Sequence, residues 1–335
     1  MTSEATGLRP NPYPGLAGSG IAALFLGAIL VGSALGLTAP ATGATVSAGV
    51  DPTLLLMIFL LFFELRLGAV VRGFGHLRCL ALAWAANFLV VPLIGLAVAA
   101  LFLADQSLIF VGLMIYFLAP CTDWFLGFTR MARGDTGLGA ALIPINMLTQ
   151  LTLFPLWLWL LTHHAGLGDV AAFATLAQWF LLPLIGAQAL RYGLEKLLTP
   201  RDFEHLLRWI GYALPLTIAA LILQIFAANI GTIAGHLEVF AMILPAVFLF
   251  FVATYLLAEG LSRLAGLAYP QHTLLTMTTA ARNAPLMLAV TAVAIPDQPL
   301  ILAALVIGML VEFPHLTALK QLLLWQRSRR NSVLV

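Results

Sequence analysis

Ten apolar stretches of this sequence read as bilayer-crossing helices and follow one another with few charges inside them, the second being short and polar-ended with Glu64 and Arg66. They run over residues 18–37, 52–68, 79–103, 107–131, 137–161, 171–191, 210–230, 238–262, 272–295 and 299–321. A hydrocarbon core takes about 20 apolar residues per helical span, and only helices or closed barrels satisfy their backbone polar groups there. The stretches are continuous and rich in Leu, Ala and Ile, without the alternation of barrel strands, so the expected fold is all-α and polytopic. Composition agrees. Of 335 residues 61% are hydrophobic and 9% charged, against roughly 45–50% and about 25% in soluble domains. So few charged side chains cannot cover a globule of this size. A soluble enzyme, a disordered chain and a nucleic-acid-binding domain are thereby excluded.

The charges that remain give an orientation. With the N-terminus inside, the inner segments contain Arg9, then Arg66, Arg72 and Arg78, then Arg130 and Arg133, then Arg191, Lys196, Arg201 and Arg208, then Arg263, and finally Lys320, Arg327, Arg329 and Arg330. The outer connections near 38–51, 104–106, 162–170, 231–237 and 296–298 contain no Lys or Arg. Basic residues gather on the cytoplasmic side of membrane proteins, so ten spans in a cell (inner or plasma) membrane with both termini cytoplasmic are expected. Residues 1–17 are polar, rich in Pro and Gly, and lack the form of a cleavable signal. The basic residue left over, Arg282, falls in the middle of the ninth span.

Two of the spans are interrupted. Ala119-Pro120 lies near the middle of the fourth and Ala284-Pro285 within the ninth. Each proline is followed, 26 and 27 residues on, by a polar residue inside the next span, Asn146 and Glu312, and tight links at Gly134-Asp135 and Pro296-Asp297 lie between. An interior proline costs a helix about 3 kcal/mol and frees carbonyls that lipid cannot satisfy. Paired interruptions in corresponding segments of two halves point to a transport site near the midplane; ordinary proline kinks are the alternative. The division expected is a cytoplasmic segment 1–17, a first five-helix repeat 18–161, a second, inverted one 171–321, and a basic cytoplasmic tail 322–335.

These residues resemble a known family. Tyr116 to Leu148, with Ala119-Pro120-Cys121-Thr122, Gly134-Asp135 and Asn146, is similar to the fourth and fifth spans of the arsenite permeases of the arsenical-resistance type, which share a superfamily with the bile acid:sodium symporters. Gly308-Met309-Leu310-Val311-Glu312-Phe313-Pro314 resembles that family's Gly-Pro-Leu-x-Glu-x-Pro. The resemblance implies a core domain with two crossed, discontinuous helices, 4 and 9, and a panel domain that moves against it. The departures lie in span 9. Arsenite permeases carry Asn-Asn-Phe-Glu-Leu-Ala there, and matching on Asn283 and Leu286 puts Pro285 at the Glu. The symporters' Ser-Asn and Glu-x-x-x-Gln-Asn match Phe125 and Leu126, and Thr278, Arg282 and Asn283. Those side chains lack the hard oxygens a sodium ion needs, so coupling through that site is not expected.

Several residues are candidates for the chemistry. Cys121 lies one residue past the span-4 proline; a thiolate is a soft ligand suited to a thiophilic solute such as trivalent arsenic, and a helix terminus or neighbouring arginine favours it. The competing reading is a small buried hydrophobe, the one expected for Cys79. Two cysteines make no disulfide framework. Asp123 and Arg282 lie three residues to either side of the two breaks, and meet if the helices cross there. They form either a structural ion pair or a working site, with Arg282 binding an anion or Asp123 taking the coupling proton. Glu312 is either a proton relay or a cap near the cytoplasmic helix end. Thr122, Asn146, Asn283 and Thr278 are candidate hydrogen-bonding wall residues, although such groups also serve helix contacts. The histidines, including His163-His164 in an expected outer loop, lack metal-ligand spacing, and no phosphate-binding glycine loop is present.

The expected function is therefore secondary-active, proton-coupled export of arsenite or a related thiophilic oxyacid. Substrate binding is assigned to Cys121, Thr122, Asn146, Arg282 and Asn283, and ion coupling to Asp123 and Glu312. The alternative cargo on the same fold is a small carboxylate or sulfonate anchored by Arg282. A receptor or scaffold would need larger loops, and no catalytic constellation indicates an enzyme. Expected partners are a small-molecule solute and membrane lipid, without nucleic acid, metal or cofactor.

Overall fold

A computed structural model describes residues 18–66, 76–122, 124–166 and 177–333. Among these residues the regular structure is helical throughout, and helix occupies most of the described part of each apolar stretch. The helices are α1 (Gly18–Thr38), α2 (Pro40–Ser47), α3 (Val50–Glu64), α4 (Leu77–Leu103), α5 (Ser107–Leu118), α6 (Phe125–Met131), α7 (Thr136–His164), α8 (Leu182–Leu197), α9 (Pro200–Ala234), α10 (Leu237–Ala265), α11 (Tyr269–Ala280), α12 (Ala284–Ala294) and α13 (Pro299–Val333). Six of them, α1, α4, α7, α9, α10 and α13, are long and apolar enough to cross a membrane.

The remaining apolar helices are short for identifiable reasons. The fourth stretch is split into α5 and α6 around Ala119-Pro120, and the ninth into α11 and α12 before Ala284-Pro285. Three expectations are corrected. Residues 40–47, expected in an outer loop, form α2, started by Pro40 in the first turn, where its missing N–H costs nothing. His163 and His164 are the last residues of α7 rather than a loop. The last helix does not stop near residue 321 but continues to Val333.

Local chemistry fixes other ends. Asp135 caps α7, its carboxylate accepting from the Leu138 N–H at 3.0 Å. Gly134 is needed just before it, because a Cβ there would lie 2.7 Å from the Thr129 methyl and 2.8 Å from that of Thr273. In α4, Pro92 offers no N–H to the carbonyl four residues back. The helix widens to a π-turn over Ala86–Val90, in which Val91 N–H bonds the Ala86 carbonyl.

α5, α11 and α12 form the centre, and nearly every residue in them is buried. α4, α7 and α10 pack around them, while α1, α3, α8 and α9 pack on one another. α13 touches both groups, lying against α5, α10 and α12 on one side and α1 and α9 on the other. α1 meets α9 backbone to backbone at two glycines, since a Cβ on Gly32 would lie 2.5 Å from the Leu223 carbonyl oxygen and Gly36 faces that of Ala227. Such close backbone contact between small residues is a membrane packing mode. On the outside, Leu93, Leu101, Leu182, Ile185, Phe248 and Leu256 are all exposed. Lipid is the solvent that accepts them.

Candidate functional site

The two interruptions meet. Pro120 and Arg282 form an isolated antiparallel bridge, in which Cys121 N–H donates to the Ala281 carbonyl at 3.0 Å and Asn283 N–H to that of Ala119 at 2.8 Å. The broken ends of two helices thus satisfy each other where lipid or water would otherwise have to. The crossing is reinforced by side chains: Asn283 Nδ2 donates to Thr122 Oγ1 at 3.0 Å, and Asn283 Oδ1 accepts from Leu286 N–H, capping α12.

This exchange leaves three carbonyls behind. In an unbroken helix the N–H of residue 121 would bond the carbonyl of Phe117, and those of residues 282 and 283 the carbonyls of Thr278 and Thr279. All three N–H groups are used elsewhere. The Arg282 guanidinium takes their place, with Nη1 donating to Phe117 O at 3.0 Å and Nη2 to Thr278 O at 3.0 Å and Thr279 O at 2.6 Å. Nη2 also donates to Asn87 Oδ1 at 3.3 Å, while Asn87 Nδ2 donates to Thr278 Oγ1 at 3.0 Å. The guanidinium lies over the Phe250 ring, which stacks on Phe117. Arg282 is completely buried, and its charge faces the C-terminal ends of α5 and α11, the ends where a helix dipole favours a cation.

Glu312 is the second buried ionisable group of the crossing. Its carboxylate accepts from Tyr116 Oη at 3.1 Å, Trp124 Nε1 at 3.3 Å and the backbone N–H of Arg282 at 3.1 Å. The reading of Glu312 as a helix-end cap is corrected: it lies inside α13, fully buried, and the donors come from the crossing. Trp124 is held against Phe313, their ring centres 4.9 Å apart.

Cys121 is fully buried within the bridge, and Cys79 is buried at the start of α4. Asn146, on α7, is fully buried, and among the described residues both its amide atoms lack a hydrogen-bond partner, as does Gln150 Oε1 one turn further on. Gln150 lines a small cleft with Phe88, Ala119, Trp157 and Met287. Asp123 lies outside the described residues, so the expected pairing with Arg282 falls there too. Of the other sequence candidates, the structure brings Cys121, Thr122, Thr278, Arg282, Asn283 and Glu312 together, whereas Asn146 is buried on α7 with no hydrogen bond to any of them among the described residues. Sequence reasoning missed Asn87, Tyr116, Trp124 and Gln150. Asn87 and Gln150, polar residues within apolar spans, carried a signal; Tyr116 and Trp124, aromatic like many residues of membrane helices, did not.

A sequence profile described as the Sodium Bile acid symporter family matches residues 51–236, more than half of the chain. The chain belongs to this family. It is accordingly a multi-pass membrane transporter of a small-molecule solute and not an enzyme. It is also 27% identical over 254 residues to the arsenical-resistance protein Acr3 of Corynebacterium glutamicum, an alignment that covers 71% of this chain and 68% of that protein. This member of the Sodium Bile acid symporter family places the Arg282 guanidinium at its helix crossing.

Proposed function

We propose that this transporter is secondary-active and exports arsenite or a related thiophilic oxyacid across the cell membrane using the proton gradient. Its ten spans are read as two inverted five-helix repeats, 18–161 and 171–321, with both termini cytoplasmic and helices 4 and 9 discontinuous. The split α5/α6 and α11/α12 and the one-sided distribution of basic residues support this topology.

The observation that carries the cargo is Cys121, held at the helix crossing between Pro120 and Thr122. A thiol can exchange for one hydroxyl of arsenous acid, forming an S–As bond and releasing water, and a single thiol keeps that bond weak enough to release. Asn146, with both amide atoms unpartnered, and the Thr122–Asn283 pair supply hydrogen bonds for the remaining hydroxyls. Glu312 and Asp123 are assigned to proton coupling, and Arg282 to the electrostatics of the crossing. The similarity to an arsenical-resistance protein supports the same cargo.

Transporter-deficient cells expressing the chain should survive arsenite, and those expressing Cys121→Ala should not. No protection by the wild type, or equal protection by the variant, overturns the reading. In proteoliposomes, flux should follow a proton gradient and ignore a sodium gradient. Carboxylates and sulfonates belong in the same panel: flux of these that is lost in Arg282→Gln, with no arsenite flux, would establish an anionic cargo instead.

A further inference from the structure

We propose that three aromatic side chains, Phe25, Phe313 and Trp124, form the barrier that closes the helix crossing off from one face of the membrane. Trp124 stands immediately before α6, and its ring centre lies 4.9 Å from that of Phe313 on α13. Phe313 in turn lies 6.4 Å, centre to centre, from Phe25 on α1. The ring planes are inclined at 56° and 60°, between the offset-stacked and edge-to-face arrangements that aromatic pairs favour. One row of rings thus runs from the crossing to α1, and all three side chains are buried.

The two ends of the row are held differently. At the crossing it is pinned: Trp124 Nε1 donates to Glu312 at 3.3 Å, and the same carboxylate accepts from Tyr116 and from the backbone N–H of Arg282. At the other end Phe25 belongs to α1, which is packed on α2 and α9 through glycines. α1 carries no charged side chain, so withdrawing Phe25 from Phe313 parts apolar surface and strands no buried charge. A row fixed at the crossing and able to part at α1 closes the route between them when the two bodies are together and opens it when they separate. Phe25 lies about two turns into α1, so the barrier is nearer the face at which that helix begins. Access to the crossing is what the row controls, whatever the cargo.

Cys121, fully buried at the crossing, reports on that access. In a Cys79→Ala parent it is the one cysteine of the chain, and its alkylation by a membrane-impermeant maleimide is followed in right-side-out and in inside-out vesicles. Phe25→Ala should raise the labelling rate at least about tenfold, from one face alone. Trp124→Phe keeps a ring and removes the bond to Glu312; it should raise the rate about threefold or more from the same face, and it keeps the test open if Phe25→Ala does not reach the membrane. Phe251→Ala is the control, because Phe251 is also buried but stacks on His315 of α13 from the α10 side, at 4.5 Å. It should lower Tm in detergent and leave labelling at the parent rate. A barrier variant that reaches the membrane and labels no faster than the parent overturns the proposal. So does a gain seen from both faces alike, an equal gain in Phe251→Ala, or the failure of both barrier variants to reach the membrane.

Discussion

The phenol of Tyr116 donates to the carboxylate of Glu312 at 3.1 Å across 196 residues of sequence. The two are brought together by Gly308, one turn before Glu312 on α13, where a Cβ would lie 3.0 Å from the Tyr116 ring. A glycine on one helix thus admits an aromatic ring from another, and the ring delivers its hydroxyl to a buried acid. Tyr116→Phe keeps the packing and removes one of three donors. It should cost about 1–3 kcal/mol of stability, read as a lower Tm in detergent, with transport reduced but not abolished.

The two cysteines should behave differently. Cys121 lies within the helix crossing, whereas Cys79 packs at the start of α4. Cys79→Ala should leave arsenite resistance near wild type, and Cys121→Ala should remove it while the protein still reaches the membrane. Growth in graded arsenite, with expression checked by immunoblot, separates the two.

Gly112 should be the least replaceable small residue of the centre. A Cβ there would lie 2.5 Å from the Ile301 carbonyl oxygen and 2.8 Å from the Ala304 methyl, both on α13. Backbone cannot yield as a side chain can, so Gly112→Ala should cost about 1–3 kcal/mol. Gly127→Ala, with nothing within 4 Å, should be neutral or stabilise by up to about 1 kcal/mol. Paired thermal unfolding curves give the comparison.

Asp135 acts through its cap. Asp135→Ala should cost about 1 kcal/mol and Asp135→Asn much less, because an amide oxygen can still accept from Leu138 N–H. Asp135 N–H also donates to the Pro270 carbonyl, tying the start of α7 to the start of α11, and that bond survives either change. Urea or thermal unfolding of the two variants side by side is the check.

Much of this was legible in the residues. Unbroken apolar runs announce helices in lipid, and Ala119-Pro120 and Ala284-Pro285 announce the two interruptions, because proline acts locally. Arg282 stood out because a charge in an apolar span is rarely idle. What could not be read was partnership. Glu312 looked solitary because its donors lie 30, 188 and 196 residues away, and Tyr116 looked like one more membrane aromatic until Gly308 made room for it. The role of Arg282 was equally hidden, since its acceptors are mostly backbone carbonyls and these carry no sequence signature. α2 was missed because Pro40–Ser47 is too short and mixed for a periodic signal.

The glycine contact between α1 and α9 has a mechanical consequence. Two helices whose backbones touch at Gly32 and Gly36, with α2 seated against the same α9 surface through Gly43, have little side-chain cushion at those points to shear or repack. Neither can roll against the other without driving a carbonyl oxygen into a Cα. Bending during a transport cycle is therefore expected elsewhere in the molecule, with α1, α2 and α9 moving as one rigid plate.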